Sequence, residues 1–571
     1  MKTNKILGLV AVVGAMSLAS CDDFLNDNRF PLSQQTANSS FWNNSVNVQN
    51  QINYFYEDYS GYGNGSGSGT FYWSWLSDDQ VGRTAINDWK FKSVPSTSSS
   101  WTAPYTEIRR ANLVIEGVEG SSLKDSEKRN FTALARLHRG RSFYDLVRRY
   151  GDVPLVTKAL DPTDEAELFG PRTNRNDVMD YVLADLDYAA ENIATTSSKS
   201  TFSKDMAQAF KVEVCLYEAA YARYHQKDEA RAKKYYEEVV KAGEAIASKY
   251  PINPQYLSLY QSYRTAGGGY NGIFNNSEII FAKAYEEGVF MNSITDYSNA
   301  SDGVAGITKD AFEAFVFKDG LPAAKTAYNN TDCGVLEEGG TGVSIANLLE
   351  VRDGRLGMIT YDHLLFPGMS WSFTNTGAMS SVSGYGVQKF NNPNVPSTVV
   401  NEINKNYLCA PLFWGARLYC GILEAKAELG TLTDGDLNTY MKPLWDRAGI
   451  EAPLSVAFLE GIQDPANNMN VSSLIWEIRR LRRCELMLDD DIRYWDLIRW
   501  HQLQLLDPAN NPDVLLGANV SMVPEVTASV LDSYLNGNFG QSRAFKEAYY
   551  LYPIPSGQLQ LNDNLTQNPG W

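Results

Sequence analysis

Apolar residues recur at helical spacing in two separate blocks of the chain. In the first block they recur every three or four residues from Met206 to Tyr224, and a second stripe runs from Ala232 to Ile246 after a short polar break. This spacing places apolar side chains on one face of an amphipathic helix. Two such helices within about 40 residues resemble one tetratricopeptide unit. We therefore predict a helical block over about residues 30–250.

The same spacing returns near the end of the chain. One stripe runs from Leu412 to Ala427, and a second stripe ends at Gly449. A glycine just past a helix supplies the left-handed conformation that closes it. Pro443 lies inside the second stripe and predicts a kink or a late helix start, because proline lacks an N–H group. We predict a second helical block over about residues 405–500.

The region between these blocks has a different composition. Residues 250–405 are rich in Gly, Asn, Ser, Thr and aromatic residues, and residues 500–571 are also loop-rich. Loops held on a rigid scaffold are where binding sites usually occur. The pattern predicts a mainly α fold, a tetratricopeptide-like helical scaffold with a large loop-rich insertion, in which residues 21–571 form one domain.

The N-terminus predicts the location of the protein. Lys2 and Lys5 precede an uncharged, mostly apolar stretch over residues 6–19, which is shorter than the roughly 20 residues of a membrane span. The residues that end at Cys21 read Leu-Ala-Ser-Cys, the lipobox of bacterial lipoproteins. We predict that residues 1–20 are a signal peptide and that Cys21 is lipidated. The lipid would then be the membrane attachment.

Composition excludes several other classes of protein. The 571-residue chain has a net charge of −17, with 50 Lys and Arg residues, which disfavours a general nucleic-acid binder. Aromatic residues make up 12% of the chain, and many of the tyrosines lie in the helical stripes. The odd number of cysteines after Cys21, without any Cys-x-x-Cys pair, predicts mostly buried thiols.

Motifs of catalysis and of metal binding are missing from the sequence. It contains four histidines, and it lacks His-Glu-x-x-His, a P-loop and Gly-x-Ser-x-Gly. The run 489–491 lacks the Gly and Glu of a calcium loop, so we predict no cofactor, while a structural calcium ion remains open. A glycosidase needs only two carboxylates at suitable separation, which spacing in sequence cannot identify.

An arginine-rich run over residues 479–483 allows two interpretations, an anion site or ion pairs on a helix face. We favour the ion pairs. The predicted pairs are Arg482 with Glu485, and Arg493 with Asp489 or Asp496.

Aromatic residues beside polar ones are the best lead to a ligand. The segment 71–75 reads Phe-Tyr-Trp-Ser-Trp and is followed by acidic residues. A sugar ring has an apolar face and a rim of hydroxyl groups, which suits an aromatic plane beside Asp, Asn or Arg. The alternative, that the two tryptophans are part of the core, stays open. The candidate ligand residues are Trp73, Trp75, Asp78, Asp79 and Arg83, with Tyr297, Trp371 and Tyr385 from the insertion.

Several motifs, in order along the chain, resemble the SusD/RagB family of outer-membrane nutrient-binding lipoproteins of Bacteroidetes. One departure is the segment 489–492, which is one residue longer than the usual Glu-Gly before the arginine. The motifs are residues 134–140, 144–155, 172–190, 485–500, 552–555 and 567–571, together with the lipobox.

The resemblance implies a non-catalytic glycan-binding protein on the cell surface. It would cover a SusC-like TonB-dependent transporter and pass oligosaccharides to it, held to the outer membrane by its lipid. The resemblance carries over no ligand residue, because ligand residues vary within the family. Alternative functions are a surface glycoside hydrolase, a scaffold that binds only protein, and a binder of another nutrient such as peptides.

Overall fold

In the computed structural model, the described residues form a mainly α-helical fold, as predicted. They are residues 39–64, 76–81, 93–264, 272–299, 306–329, 331–366, 369, 371–373, 377–537 and 543–571.

The helices and strands are named here in chain order. The α-helices are α1 (Ser39–Trp42), α2 (Ser45–Asn53), α3 (Ser99–Glu119), α4 (Asp125–Tyr150), α5 (Glu165–Leu168), α6 (Arg175–Asn192), α7 (Lys204–Tyr221), α8 (Glu229–Ala247), α9 (Ile294–Asn299), α10 (Lys309–Glu313), α11 (Ala346–Leu349), α12 (Gly354–Ile359), α13 (Ser397–Val400), α14 (Gly415–Glu428), α15 (Asp434–Asp436), α16 (Lys442–Ala448), α17 (Val456–Ile462), α18 (Ser473–Glu485), α19 (Ile492–Arg499) and α20 (Ser556–Leu561). The strands are β1 (Gln80–Val81), β2 (Ile279–Lys283), β3 (Gly306–Ile307), β4 (Val335–Leu336), β5 (Val343–Ser344), β6 (Thr360–Leu365), β7 (Trp371–Phe373), β8 (Gly377–Met379), β9 (Gly384–Val387), β10 (Ala410–Trp414), β11 (Leu516–Asn519), β12 (Val530–Leu531) and β13 (Tyr534–Asn536).

The first helical block consists of long helices that pack in sequence. α4 contacts both α3 and α6, and α7 contacts α6 and α8. The side chains of Ser203 and Asp228 accept hydrogen bonds from the first turns of α7 and α8, which begins each helix where the apolar stripe begins. Gly243 in α8 faces Ile422 in α14, so the two helical blocks meet at a small residue.

The second helical block begins later than its apolar pattern predicts. Residues 410–414 form β10, which pairs antiparallel with β2, and α14 begins only at Gly415. Leu412 therefore belongs to a strand, at the register irregularity between Pro411 and Phe413, which pair with Ala282 and Phe281 of β2. Pro443 lies in the first turn of α16, after a π-helical segment, and Gly449 closes that helix at φ +68°. The predicted late start and glycine cap are confirmed.

Short strands and short helices make up the region between the two blocks. β4, β5, β6 and β9 form a four-stranded sheet in that order, and β1–β3, β7–β8 and β10–β2 form antiparallel pairs. β11, β13 and β12 form a further small sheet near the C-terminal end. These elements attach the insertion to the scaffold at several points, because β2 pairs with β10 and β1 pairs with β3.

Residues near the C-terminal end close over the end of α4. The Arg172 guanidinium donates to the carbonyl oxygen of Tyr150 at 2.9 Å and to Asn568 Oδ1 at 2.6 Å. The Asn568 amide donates to the Tyr150 carbonyl oxygen at 3.0 Å, and the Tyr552 N–H donates to the Arg149 carbonyl oxygen at 2.6 Å. This clasp, residues 149–172 with 552–568, joins the end of α4 and the segment after it to the C-terminal residues.

Buried ion pairs tie the C-terminal helices to the rest of the fold. Glu485 accepts hydrogen bonds from Arg355 at 2.7 Å and from Arg447, and its side chain is fully buried. Arg482 pairs with Asp496 at 2.8 Å. The arginine run is thus structural, as we favoured.

The predicted partners in that run are wrong. Arg482 pairs with Asp496 instead of Glu485, and Arg493 pairs with Asp78. The partners differ because arginines from other positions occupy the predicted carboxylates. Glu485 pairs with Arg355 and Arg447, and Asp496 pairs with Arg482 and Arg499. Between Asp489 and Arg493, the left-handed residue Asp490 also interrupts the helix periodicity.

Cysteines in the described residues are free thiols. Cys215, Cys409, Cys420 and Cys484 are buried, and Cys333 is partly exposed. The prediction of mostly buried thiols is confirmed for these residues.

Candidate functional site

Strands from three distant parts of the sequence meet at one place, here called the junction. It consists of β1, β3 and β9 with the flanking residues 76–79. β1 and β3 pair antiparallel, with Val81 opposite Gly306. A Cβ atom at Gly306 would overlap the hydroxyl groups of Ser381 and Ser383, which precede β9. The close approach of these strands therefore depends on glycine at this position.

Several segments that carry predicted ligand residues lie in or near the junction. Tyr297 lies in α9, which packs against β9. Trp371 lies in β7, which contacts β6, and β6 is the pairing partner of β9. Asp78 and Asp79 lead directly into β1. The fold thus brings the backbone of four candidates to one region, although they come from three separate parts of the sequence.

Trp73, Trp75 and Arg83 lie outside the described residues. The segment that carries the two tryptophans is followed by Leu76, which is buried, and by Asp78. Their position in sequence attaches them to the junction, and their role as ligand residues stays a prediction.

Asp78 and Asp79 are buried at the base of the junction and pair with two arginines. Arg493 donates to Asp78 through Nε at 2.8 Å and through Nη2 at 2.7 Å. Arg483 donates from Nε to Asp79 at 2.7 Å and from Nη2 to Asp310 at 2.6 Å. Asp78 and Asp79 are each 1% exposed. This corrects the prediction that they face a ligand, since burial and the arginines leave them no accessible surface.

The electrostatics of this pair follow from burial and from the arginines. Burial opposes ionisation of Asp78, but the guanidinium groups of Arg483 and Arg493 outweigh it and lower the pKa of Asp78 well below its usual range. For Asp79, burial is the larger effect and raises the pKa of its carboxyl group. Asp78 is therefore the more strongly ionised of the two carboxylates.

The backbone carbonyl oxygens of residues 77–79 also accept hydrogen bonds from distant residues. Thr308 donates its hydroxyl hydrogen to the Asp78 carbonyl oxygen at 2.6 Å, and its N–H group donates to the Asp79 carbonyl oxygen at 3.1 Å. Arg543 donates to the Ser77 carbonyl oxygen at 3.2 Å, and burial lowers the pKa of Arg543 to about 10. Sequence reasoning missed Thr308 and Arg543, because nothing in their local sequence indicates so distant a partner.

Tyr385 is part of the core. Its side chain is 2% exposed and stacks on Phe312, with ring centroids 4.4 Å apart and planes 13° apart. The prediction that Tyr385 faces a ligand is therefore wrong, because all four residues of β9 are buried and the Tyr385 ring packs on Phe312 of α10.

Two charged cavities of about 130 Å3 each lie in the scaffold. One is lined by Arg148, Glu213 and Arg482 among others, and the second lies beside Asp78 and Arg483. The charged side chains around them pair mostly with one another, which fits a structural role. Within the described residues, no three or more His, Cys, Asp or Glu side chains are grouped to hold a metal ion.

The fold, a helical scaffold that carries an insertion of short strands, agrees with the family models that match this chain. The model of the family described as "SusD family" matches residues 369–571, and a second model, described as "Starch-binding associating with outer membrane", matches residues 13–216. The chain belongs to the SusD/RagB family. The resemblance seen in the sequence motifs is thereby confirmed.

Curated relatives match over short segments. SusD-like protein P38 of Formosa agariphila is 37% identical over 118 residues, which are 20% of this chain and 22% of that protein. A SusD-like protein of Bacteroides ovatus is 27% identical over 135 residues, which are 23% of this chain and 24% of that protein. The matched segments therefore span about a fifth to a quarter of these relatives.

Solved structures match over most of the chain and show the fold. A SusD-like carbohydrate-binding protein from Bacteroides fragilis has a TM-score of 0.67 at 21% identity, covering 92% of this chain and 100% of its own. A laminarin-binding SusD-like protein has a TM-score of 0.54 at 18% identity, covering 92% of this chain and 99% of its own. In the part of the chain that the structure describes, no helix is long and apolar enough to cross a membrane.

Proposed function

We propose that the protein is a lipid-anchored lipoprotein of the outer membrane that binds oligosaccharides at the junction, without catalysis, and passes them to a SusC-like TonB-dependent transporter. The observation that carries this proposal is the convergence of segments at the junction. The helix that carries Tyr297 contacts β9, the strand that carries Trp371 contacts β6, the pairing partner of β9, and the segment with Trp73 and Trp75 precedes β1 in the sequence.

Aromatic side chains explain how such a site would bind a sugar. The apolar face of a pyranose ring stacks on an aromatic plane, and neighbouring polar groups bind its hydroxyl groups. The buried ion pairs of Asp78 and Asp79 fit this mechanism, because they fix the residues that lead into β1. The mechanism requires no cofactor and no covalent step.

A family model and two neighbours support the choice of ligand. The N-terminal model is described as starch-binding and as associating with the outer membrane. The two structural neighbours named above are called carbohydrate-binding and laminarin-binding. We extend carbohydrate binding to the present chain, with Cys21 as its lipid attachment. The particular sugar is to be identified by experiment.

The first experiment measures affinity for a panel of soluble glycans by calorimetry and affinity electrophoresis. Trp73→Ala combined with Trp75→Ala should weaken binding at least tenfold, because stacking of a ring on each tryptophan is lost. Tyr54→Ala is the control, since it removes a ring that is 45% exposed on the helical scaffold, beside Arg110. Equal affinity in both variants would show that the tryptophans do not bind the glycan.

A second experiment separates binding from hydrolysis. The purified protein is incubated with each bound glycan, and reducing ends are counted over time. We expect no increase. New reducing ends that persist after repeated purification would show that the protein is a glycoside hydrolase.

A further inference from the structure

An apolar groove of about 490 Å3 is formed by elements that do not belong to the junction. Its walls are the first turns of α3, the segment 154–169 and the segment 558–565. Trp101 and Ile108 form its floor and are 4% and 1% exposed. The volume lies within the range of about 300–1,000 Å3 that is typical of small-molecule sites. The groove is thus a concave site with a buried floor.

Large apolar side chains stand at the rim of the groove. Leu168, Phe169 and Leu561 are 43%, 46% and 69% exposed. They are three of the eleven large hydrophobic residues that the described part of the chain exposes. Single exposed hydrophobic residues are normal, but several around one cavity mark a binding surface.

Polar groups in the groove already have partners within the protein. The hydroxyl groups of Thr102, Thr106 and Tyr105 each donate to a backbone carbonyl oxygen at 3.0–3.3 Å. The Asn562 amide also donates to a carbonyl oxygen, at 3.0 Å. A sugar would bring many hydroxyl groups and find few free partners here. The groove therefore favours an apolar ligand over a second glycan.

One cation at the mouth of the groove, Arg109, is only partly neutralised, by electrostatic interaction with the Asp161 carboxylate. Lys158 pairs with Glu167 at 2.9 Å. Arg109 is exposed and donates one hydrogen bond to the Leu160 carbonyl oxygen, and among the described residues it has no carboxylate partner within ion-pair distance. A guanidinium group carries five N–H donors, so Arg109 retains donors for a negatively charged group.

We propose that this groove binds an anionic amphiphile, an unbranched acyl chain with a carboxylate head. The chain would lie between Trp101, Phe169 and Leu561, and the carboxylate would pair with Arg109. This chemistry complements both features of the site, its apolar walls and the guanidinium group at its mouth. It is independent of the glycan function proposed above.

The first test is a chain-length series with octanoate, decanoate and dodecanoate as probes, each below its micelle concentration, measured by calorimetry. Each added methylene should tighten binding about threefold to fourfold until the chain fills the groove, after which the affinity should level off. Absence of binding by all three probes would overturn the proposal, as would an affinity that does not depend on chain length.

The second test uses matched variants at exposed positions. Phe169→Ser with Leu561→Ser should weaken decanoate binding about tenfold or more, whereas Ile403→Ser, at a position that is 68% exposed elsewhere, should leave it unchanged. All three side chains are exposed, so thermal unfolding should show unaltered folding. Equal binding by the groove variant and the control would overturn the proposal.

The third test concerns the head group. Arg109→Gln should weaken octanoate binding severalfold and leave 1-octanol binding unchanged, because only the carboxylate uses the guanidinium group. Loss of binding to both probes, or to neither, would contradict the assigned role of Arg109. Sedimentation tests for self-association of the protein. If the wild type self-associates and Phe169→Ser does not, the groove binds a second copy of the chain, and the proposal is overturned.

Discussion

Helices α7 and α8 are consecutive in sequence and pack on each other, whereas the junction joins residues that are 230 positions apart, as Asp78 and Thr308 show. The helical pair is held by an apolar stripe that recurs along each helix. The junction is held by buried ion pairs and by close backbone contacts at Gly306. The difference teaches that a periodic region can be predicted locally, while a region built from single long-range contacts cannot.

The largest effect should come from the buried charges that tie α18 to α12 and α16, outside both regions. Glu485→Ala would leave Arg355 and Arg447 without their shared carboxylate and should lower the free energy of unfolding by about 3–5 kcal/mol. Chemical denaturation of the wild type and the variant measures this loss in the free energy of unfolding. Asp446→Ala is the control, because it breaks an exposed pair with Lys442 that should contribute about 0.5 kcal/mol or less. Similar losses in both variants would contradict the importance of the buried network.

The next effect tests the junction itself. Asp78→Ala removes the carboxylate that Arg493 contacts twice and should cost about 2–4 kcal/mol, because a buried guanidinium group loses its partner. The same variant should weaken glycan binding if the junction positions the aromatic segment. Asp513→Ala is the control nearby, since the Asp513 side chain is 37% exposed beside Lys309. A loss of stability no greater than that of the control would show that the buried pair does not hold the junction.

A smaller effect is expected where the two helical blocks meet. A Cβ atom at Gly243 would lie 2.6 Å from Ile422, so Gly243→Ala should cost about 1–3 kcal/mol through overpacking. Gly461 lies in α17 with open space around it, and Gly461→Ala should stabilise the protein by about 0.5–1 kcal/mol. Thermal unfolding of both variants and of the wild type compares the two changes in stability. If both alanines stabilise, the crossing has more room than the structure indicates.

The smallest effect concerns a buried histidine in α4. Both ring nitrogens of His138 lack a hydrogen-bond partner, and the ring stacks on Phe55 at 4.4 Å. Burial lowers the pKa of His138 well below its usual value, so the folded state keeps the ring neutral while the unfolded chain takes up a proton below about pH 6.5. Folding stability therefore falls as pH drops below that value.

His138→Leu should remove this part of the pH dependence. We expect a change of less than about 1 kcal/mol at pH 8 and a relative gain for the variant at pH 5.5, because the unsatisfied polar ring is gone. His501→Gln, at an exposed histidine, serves as the control. A stability difference from the wild type that is the same at both pH values would contradict the proposed role of burial.

The helical part of the fold can be predicted from the sequence, because helix periodicity depends on residues only three or four positions apart. The stripe from Met206 to Tyr221 and the glycine at 449 predict α7 and the end of α16 from neighbours alone. Leu412 shows the limit of such reasoning. Its spacing fits a helix, but the pairing of β10 with β2 overrides local preference.

The candidate site was less predictable because residue type does not state exposure. Asp78 beside tryptophans has the chemistry of a sugar site, yet Arg493, more than 400 positions away, buries it in an ion pair. Tyr385 likewise finds Phe312 in the core. The role of Tyr297 and Trp371 as ligand residues stays a prediction, although the helix of Tyr297 contacts β9 and the strand of Trp371 contacts β6.

The clasp between Arg172 and residues 552–568 has a consequence for how the chain matures. Tyr150 and Asn568 are 418 residues apart, so the end of α4 stays uncovered while the intervening chain is being made. Synthesis at about 5–20 residues per second makes this wait roughly 20–80 s. During that interval the clasp cannot form, so α4 gains these contacts only after the C-terminal residues have been made.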